Sequence, residues 1–115
     1  MRKLLIFIIF VCNFANFVHA EDTITLKKFL DLAKSDNSFL IQVMATGEAF
    51  GWANSDLKDK NQQLLYCTPP NFSFYAKNYL DILLEQTKKV NYYDMDYRVY
   101  PLLLLNGLKE TFPCK

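Results

Sequence analysis

Ala76-Lys77-Asn78-Tyr79-Leu80-Asp81-Ile82-Leu83-Leu84-Glu85-Gln86-Thr87-Lys88-Lys89 is the stretch that decides the fold class. Ala76, Tyr79, Leu80, Leu83, Leu84 and Thr87 recur at i, i+3, i+4, i+7 spacing, which places them along one stripe of an α-helix. Lys77 with Asp81 and Glu85 with Lys89 stand at i, i+4 on the solvated side, and Lys88 and Lys89 favour the negative end of the helix dipole. Asn71 or Ser73 is the expected cap at its start.

The same period runs outward in both directions. Upstream, a longer helix is expected over residues 39–57, with Leu40, Val43, Gly47, Phe50, Asn54 and Leu57 along one stripe. Gly47 and Gly51 each cost that helix about 1 kcal/mol relative to alanine. Their spacing therefore points to close approach of another backbone, or to the floor of a groove. Glu48 and the polar flanks rule out the membrane-dimer use of the same motif. Before it, Thr25 is placed to cap a first helix, and Ile24 and Phe29 stand at staple positions around the cap. Leu26, Phe29, Leu30 and Ala33 form that helix's face, and the cluster Ser35-Asp36-Asn37-Ser38 breaks the chain and caps the next helix. Downstream, Pro101 fits the first turn of a last helix that carries Leu102, Leu105, Leu108 and Phe112 inward and stops at Pro113.

Between these elements, residues 59–63 are polar and read as a loop. Tyr66-Cys67-Thr68-Pro69-Pro70 is a stiff extended segment. Asn91-Tyr92-Tyr93-Asp94-Met95-Asp96-Tyr97 alternates weakly, but its acids and the lack of a partner strand make it a loop. The expectation is an all-α protein: a small helical domain of four or five helices, without repeats.

The first twenty residues stand apart. Arg2 and Lys3 precede an apolar run from Leu4 to Val11, and Val18-His19-Ala20 offers a signal-peptidase site, so residues 1–20 read as a signal peptide and 21–115 as the working domain. A lipid anchor at Cys12 is the competing reading, disfavoured by Val11 before the cysteine. The apolar run is well short of the ~20 residues that span a bilayer, so no membrane anchor is expected in the mature protein. Export to a bacterial periplasm is the simplest destination.

Processing leaves 95 of the 115 residues, room for a single core. Losing Arg2 and Lys3 reduces the 13 basic residues to 11 against 12 acidic ones, so the product lacks the charge of a nucleic-acid binder. The one histidine, His19, leaves with the signal. Without it no Ser–His or Cys–His couple can form, and two cysteines cannot make a four-thiolate zinc site. No glycine-rich phosphate loop is present. No metal and no cofactor is expected.

Cys67 and Cys114 remain. In an oxidising compartment a bridge between them is expected, with an intermolecular bridge or a reactive thiol as the alternative. Closing a loop of about 48 residues stabilises by roughly 4 kcal/mol in the chain-entropy model.

Four blocks, in order, resemble a known family. They are residues 24–30 (Ile24-Thr25-Leu26-Lys27-Lys28-Phe29-Leu30), the glycine-containing helix Gly47-Glu48-Ala49-Phe50-Gly51-Trp52-Ala53-Asn54, Tyr66-Cys67-Thr68-Pro69-Pro70, and the ending Leu108-Lys109-Glu110-Thr111-Phe112-Pro113-Cys114. Behind a signal peptide and in this register, the chain resembles the exported immunity proteins of the Rap/Tai type, which protect bacteria from type VI secretion amidases. The resemblance implies an all-α periplasmic homodimer that binds a peptidoglycan-cleaving amidase toxin and plugs its cleft. Many relatives carry a second cysteine pair; here there is none, so only one bridge carries over.

Three functions follow for comparison. An inhibitor without catalysis fits the missing histidine and the tyrosine-rich loop, because tyrosine offers contact area at small entropic cost. Its contact residues would be Tyr92, Tyr93, Asp94, Asp96 and Tyr97; the plainer alternative is that these tyrosines pack on the protein's own surface. A carboxylate enzyme acting on the cell wall would draw on Glu48, Glu85 and Glu110, which nothing in the sequence pairs. A carrier of an apolar ligand would use the 16% aromatic content, which a core needs as well. The expectation is the inhibitor, not an enzyme.

Overall fold

Thr25 starts the body of the protein. In the computed structural model, which describes residues 23–89 and 91–115, its side chain accepts from the Lys28 N–H and opens helix α1, Leu26–Ser35. The expected signal peptide lies outside the described residues. Asp36 then caps α2, Asn37–Asp59, by accepting from the Ser38 N–H at 2.8 Å. Helix α3 covers Ala76–Lys89, a 3₁₀ turn covers Tyr97–Val99, and α4 covers Tyr100–Thr111 with Pro101 in its first turn. The described residues thus contain four α-helices and no strand beyond an isolated bridge between Thr25 and Asp96. The fold is all-α, and Cys67 is bonded to Cys114, with their Cα atoms 4.9 Å apart.

The helices pack in chain order, α1 on α2, α2 on α3 and α3 on α4, while α4 returns to α2 and the 3₁₀ turn closes against α1. Their inward faces make one core from Leu26, Phe29, Leu30, Val43, Leu83, Leu104 and Leu108, all at most 1% exposed. Phe29 is central to it: its ring stacks on Tyr100 at 4.7 Å and on Tyr97 at 5.3 Å. Aromatic pairs of this kind add about 0.5–1.5 kcal/mol beyond area burial. Tyr100 also joins α4 to α2 through a 2.7 Å hydroxyl–hydroxyl bond to Thr46.

The stripe expected on α2 faces the core, with Val43 and Gly47 buried and Leu40, Phe50, Asn54 and Leu57 half-buried. That helix extends to Asp59, which therefore belongs to α2 rather than to the loop. It ends in a Schellman motif: the Gln62 N–H donates to the Leu57 carbonyl, the Asn61 N–H donates to that of Lys58, and Asn61 takes the left-handed conformation at φ 53°.

Three local expectations need correction. Neither Asn71 nor Ser73 caps α3; instead Asn78 reaches back, accepting from the Tyr75 N–H at 2.7 Å. Helix α4 turns Leu108 inward as expected, with Leu105 and Phe112 half-buried against the core, but not Leu102: that side chain is 58% exposed, and Tyr100, Leu103, Leu104 and Gly107 are buried. Gly47 meets an aromatic ring, not a backbone, since a Cβ there would lie 2.4 Å from Cδ1 and Cε1 of Tyr79. The close helix approach is at Gly107, where a Cβ would meet Ile82 Cγ2 at 2.5 Å and the Ile82 carbonyl oxygen at 3.3 Å.

Candidate functional site

The Cys67–Cys114 bridge fixes a segment that lines an open concavity. Beside it the Cys67 N–H donates to the Phe112 carbonyl at 2.8 Å. Asn54 of α2 clips the same segment from the other side: its amide donates to the Tyr66 carbonyl at 2.8 Å and its oxygen accepts from the Leu65 N–H at 2.8 Å. Phe74 then stacks on Tyr79 at 4.6 Å and meets Phe112 edge-on at 5.5 Å. An extended chain with two prolines, unable to form a ladder of its own, is thereby held against α2, α3 and the chain end.

An open groove of about 710 Å³ runs between α2 and this segment. One wall carries Glu48, Gly51, Ser55 and Lys58 of α2, at the i, i+3, i+7, i+10 positions of one helix face. The other carries Thr68, Phe72, Ser73 and Phe74, and the buried rings of Tyr66 and Tyr79 complete the lining. Glu48 Oε1 accepts from the Tyr79 hydroxyl at 3.0 Å. Burial first, and then that bond to Glu48, push the Tyr79 hydroxyl far above its ordinary range; burial and the Glu48 charge raise Tyr66 as well. Both tyrosines thus stay neutral beside the Glu48 side chain. Gly51 belongs to this lining, as the groove reading of its spacing allowed, while the space at Gly47 is filled by the Tyr79 ring and not by another backbone.

The segment expected to contact a partner, Tyr92–Tyr97, is docked through its backbone onto the amino end of α1. The Leu26 N–H donates to the Met95 carbonyl at 2.7 Å, the Lys27 N–H to that of Tyr93 at 3.1 Å, and the Tyr97 N–H to that of Ile24 at 3.1 Å. Two helix-start N–H groups that lack intrahelical partners are satisfied this way. Tyr92 and Tyr97 are half-buried against the core. Asp96 caps the 3₁₀ turn and pairs with Arg98 at 2.7 Å, and the Arg98 hydrogen bonds hold its carboxyl below the usual carboxylate range. Tyr93 and Asp94 keep exposed side chains. The structure thus brings the five residues into one segment but leaves these two facing outward.

Sequence reasoning passed over a second surface. The side of α2 opposite its buried stripe carries Ile41, Ala45, Ala49 and Trp52, all exposed, with Ile41 at 54% and Trp52 at 75%. A helix apolar on both sides, in a chain this small, leaves one side without cover. Of the three helix glutamates, Glu48 lines the groove, Glu85 pairs with Lys88, and Glu110 bonds Lys89 and Gln86. No helix among the described residues is long and apolar enough to cross a membrane.

No protein-family model matches the chain, nor does any curated protein or solved structure.

Proposed function

We propose that the chain is an immunity protein: exported to the periplasm, it binds a peptidoglycan-cleaving amidase of the type VI secretion system and occludes that toxin's catalytic cleft. One observation carries the reading. The two short blocks of the family resemblance that contain cysteine, Tyr66-Cys67-Thr68-Pro69 and Phe112-Pro113-Cys114, lie far apart in the chain yet form one unit, joined by the disulfide and by the Cys67–Phe112 backbone bond. That these two blocks meet in one element supports the reading.

Occlusion requires a rigid body and a surface to present, with no reactive group. The stapled helices supply the first. For the second, Tyr93 and Asp94 project from a segment that α1 holds in place, and Trp52 and Ile41 give α2 the exposed apolar area on which protein partners settle. The homodimer belongs to the same proposal and rests on the family resemblance. A disulfide suits the oxidising compartment to which a signal peptide would deliver the chain.

The test begins with the gene neighbourhood, where the reading expects a small cysteine hydrolase. Titrating the mature protein into that amidase should abolish its cleavage of peptidoglycan at stoichiometric amounts. Replacing Tyr93 and Asp94 together by alanine should weaken binding by about 2–4 kcal/mol, the scale of an interface hot spot. The melting temperature should stay nearly unchanged, because the capping groups are backbone carbonyls that alanine retains. Undiminished cleavage in the presence of excess protein would refute the reading.

A further inference from the structure

The groove beside α2 has a charge pattern that the antitoxin reading does not use. Glu48 spends one oxygen on the Tyr79 hydroxyl, and its second oxygen has no partner among the described residues. Lys58 likewise makes no ion pair there, although Lys60, two residues on, pairs with Asp56 at 2.7 Å. Both groups line the same groove, on the same face of the same helix. Ten residues of α-helix separate them by ~15 Å along the axis. The groove therefore carries a free negative group near one end and a free positive group near the other.

Between the charges the lining suits a main chain. Tyr66 and Tyr79 provide an apolar floor, and the hydroxyls of Thr68 and Ser73 make no hydrogen bond among the described residues. An extended peptide advances ~3.3 Å per residue, so about four residues cover ~13 Å and place their two ends at the two charges. A volume of about 710 Å³ falls in the range of small-ligand sites.

We propose that this groove binds a free, linear, zwitterionic peptide of four to five residues, its amino terminus on Glu48 and its carboxylate on Lys58. Recognition is by both ends, and side-chain identity matters little because the walls between them are small or aromatic. A single amino acid cannot reach both charges, and a long chain must leave one of its ends outside. The site is independent of the antitoxin reading and stands or falls separately from it.

The experiment is calorimetric titration of the mature, disulfide-bonded protein with tetra-alanine, its N-acetylated form, its C-terminal amide, and the di- and hexa-alanine peptides. Tetra-alanine should bind, and each blocked end should weaken binding by roughly tenfold, the scale of one charge-assisted hydrogen bond. The two other lengths should bind more weakly than tetra-alanine. Glu48→Gln keeps an acceptor for Tyr79 and should make the protein indifferent to acetylation while it still responds to amidation. Lys58→Gln should do the reverse. Backbone amide shifts on binding should concentrate in residues 48–58 and 66–74. No binding at millimolar tetra-alanine, equal affinity for free and blocked peptides, or shifts centred elsewhere would each overturn the proposal. The blocked peptides read the same chemistry on the unmodified protein, so a variant that folded poorly would not shield it.

Discussion

Replacing Gly47 by alanine and, separately, Gly51 by alanine sets two identical changes in one helix against different surroundings. Each alanine gains about 1 kcal/mol of helix propensity. At Gly51 nothing opposes the gain, since the new Cβ would meet only the Tyr66 hydroxyl, at 3.9 Å. At Gly47 the Cβ would lie 2.4 Å from two carbons of the Tyr79 ring and 2.7 Å from a third. That ring cannot swing aside: Tyr79 is 2% exposed, stacked on Phe74 at 4.6 Å and tied to Glu48 through its hydroxyl. Overpacking of this kind costs about 1–3 kcal/mol, and loosening the Tyr79–Glu48 bond adds about 1 kcal/mol. The net expectation is that Gly51→Ala stabilises by about 0.5–1 kcal/mol while Gly47→Ala destabilises by about 1–3 kcal/mol. Urea unfolding of the oxidised mature protein, followed by far-ultraviolet circular dichroism, reads both as midpoint shifts at constant slope. If Gly47→Ala proved as stable as the parent, or if both alanines stabilised equally, the packing of Tyr79 onto α2 would be wrong.

Cys67→Ser should lower unfolding free energy by roughly 4 kcal/mol, from the loop the bridge closes, and denaturation with and without reductant checks it. Tyr79 is held neutral in the folded protein above its ordinary pKa of 10.0, so the unfolded chain ionises first as pH rises. Its contribution is complete below pH about 10 and declines above it, and Tyr79→Phe should flatten that alkaline fall in a pH series of unfolding midpoints.

How much of this was legible in the sequence depended on which groups carry the structure. Helices α1 and α3 show in their apolar spacing because their buried and exposed faces differ, and Thr25 and Asp36 are visible caps because a side chain does the capping. On α4 Leu102 was misread, and Leu103 and Leu104 missed, because Leu102-Leu103-Leu104-Leu105 carries no phase: four leucines in a row fit any rotation. Gly107 against Ile82 and Tyr100 against Phe29 set the rotation, and both are tertiary contacts. The Tyr92–Tyr97 segment reads as a free loop from its side chains, but carbonyls dock it onto α1, and every residue has a carbonyl. The groove left one faint signal, the polar face of Glu48, Ser55 and Lys58 behind two glycines. Its other wall depends on a proline-rich segment placed by the disulfide and by Asn54. The exposed face with Ile41 and Trp52 was hidden by the buried stripe, since a helix apolar on both sides shows no contrast.

The most direct test of the antitoxin account is lysis of living cells. The neighbouring amidase, directed to the periplasm of a susceptible host, is expressed alone and then together with the full-length chain, and culture density is followed after induction. The account predicts that cells making the toxin alone lyse, while cells making both keep growing. It further predicts that deleting residues 1–20 removes the protection, because the protein and its target then occupy different compartments. Lysis at the same rate with and without the full-length chain would contradict it.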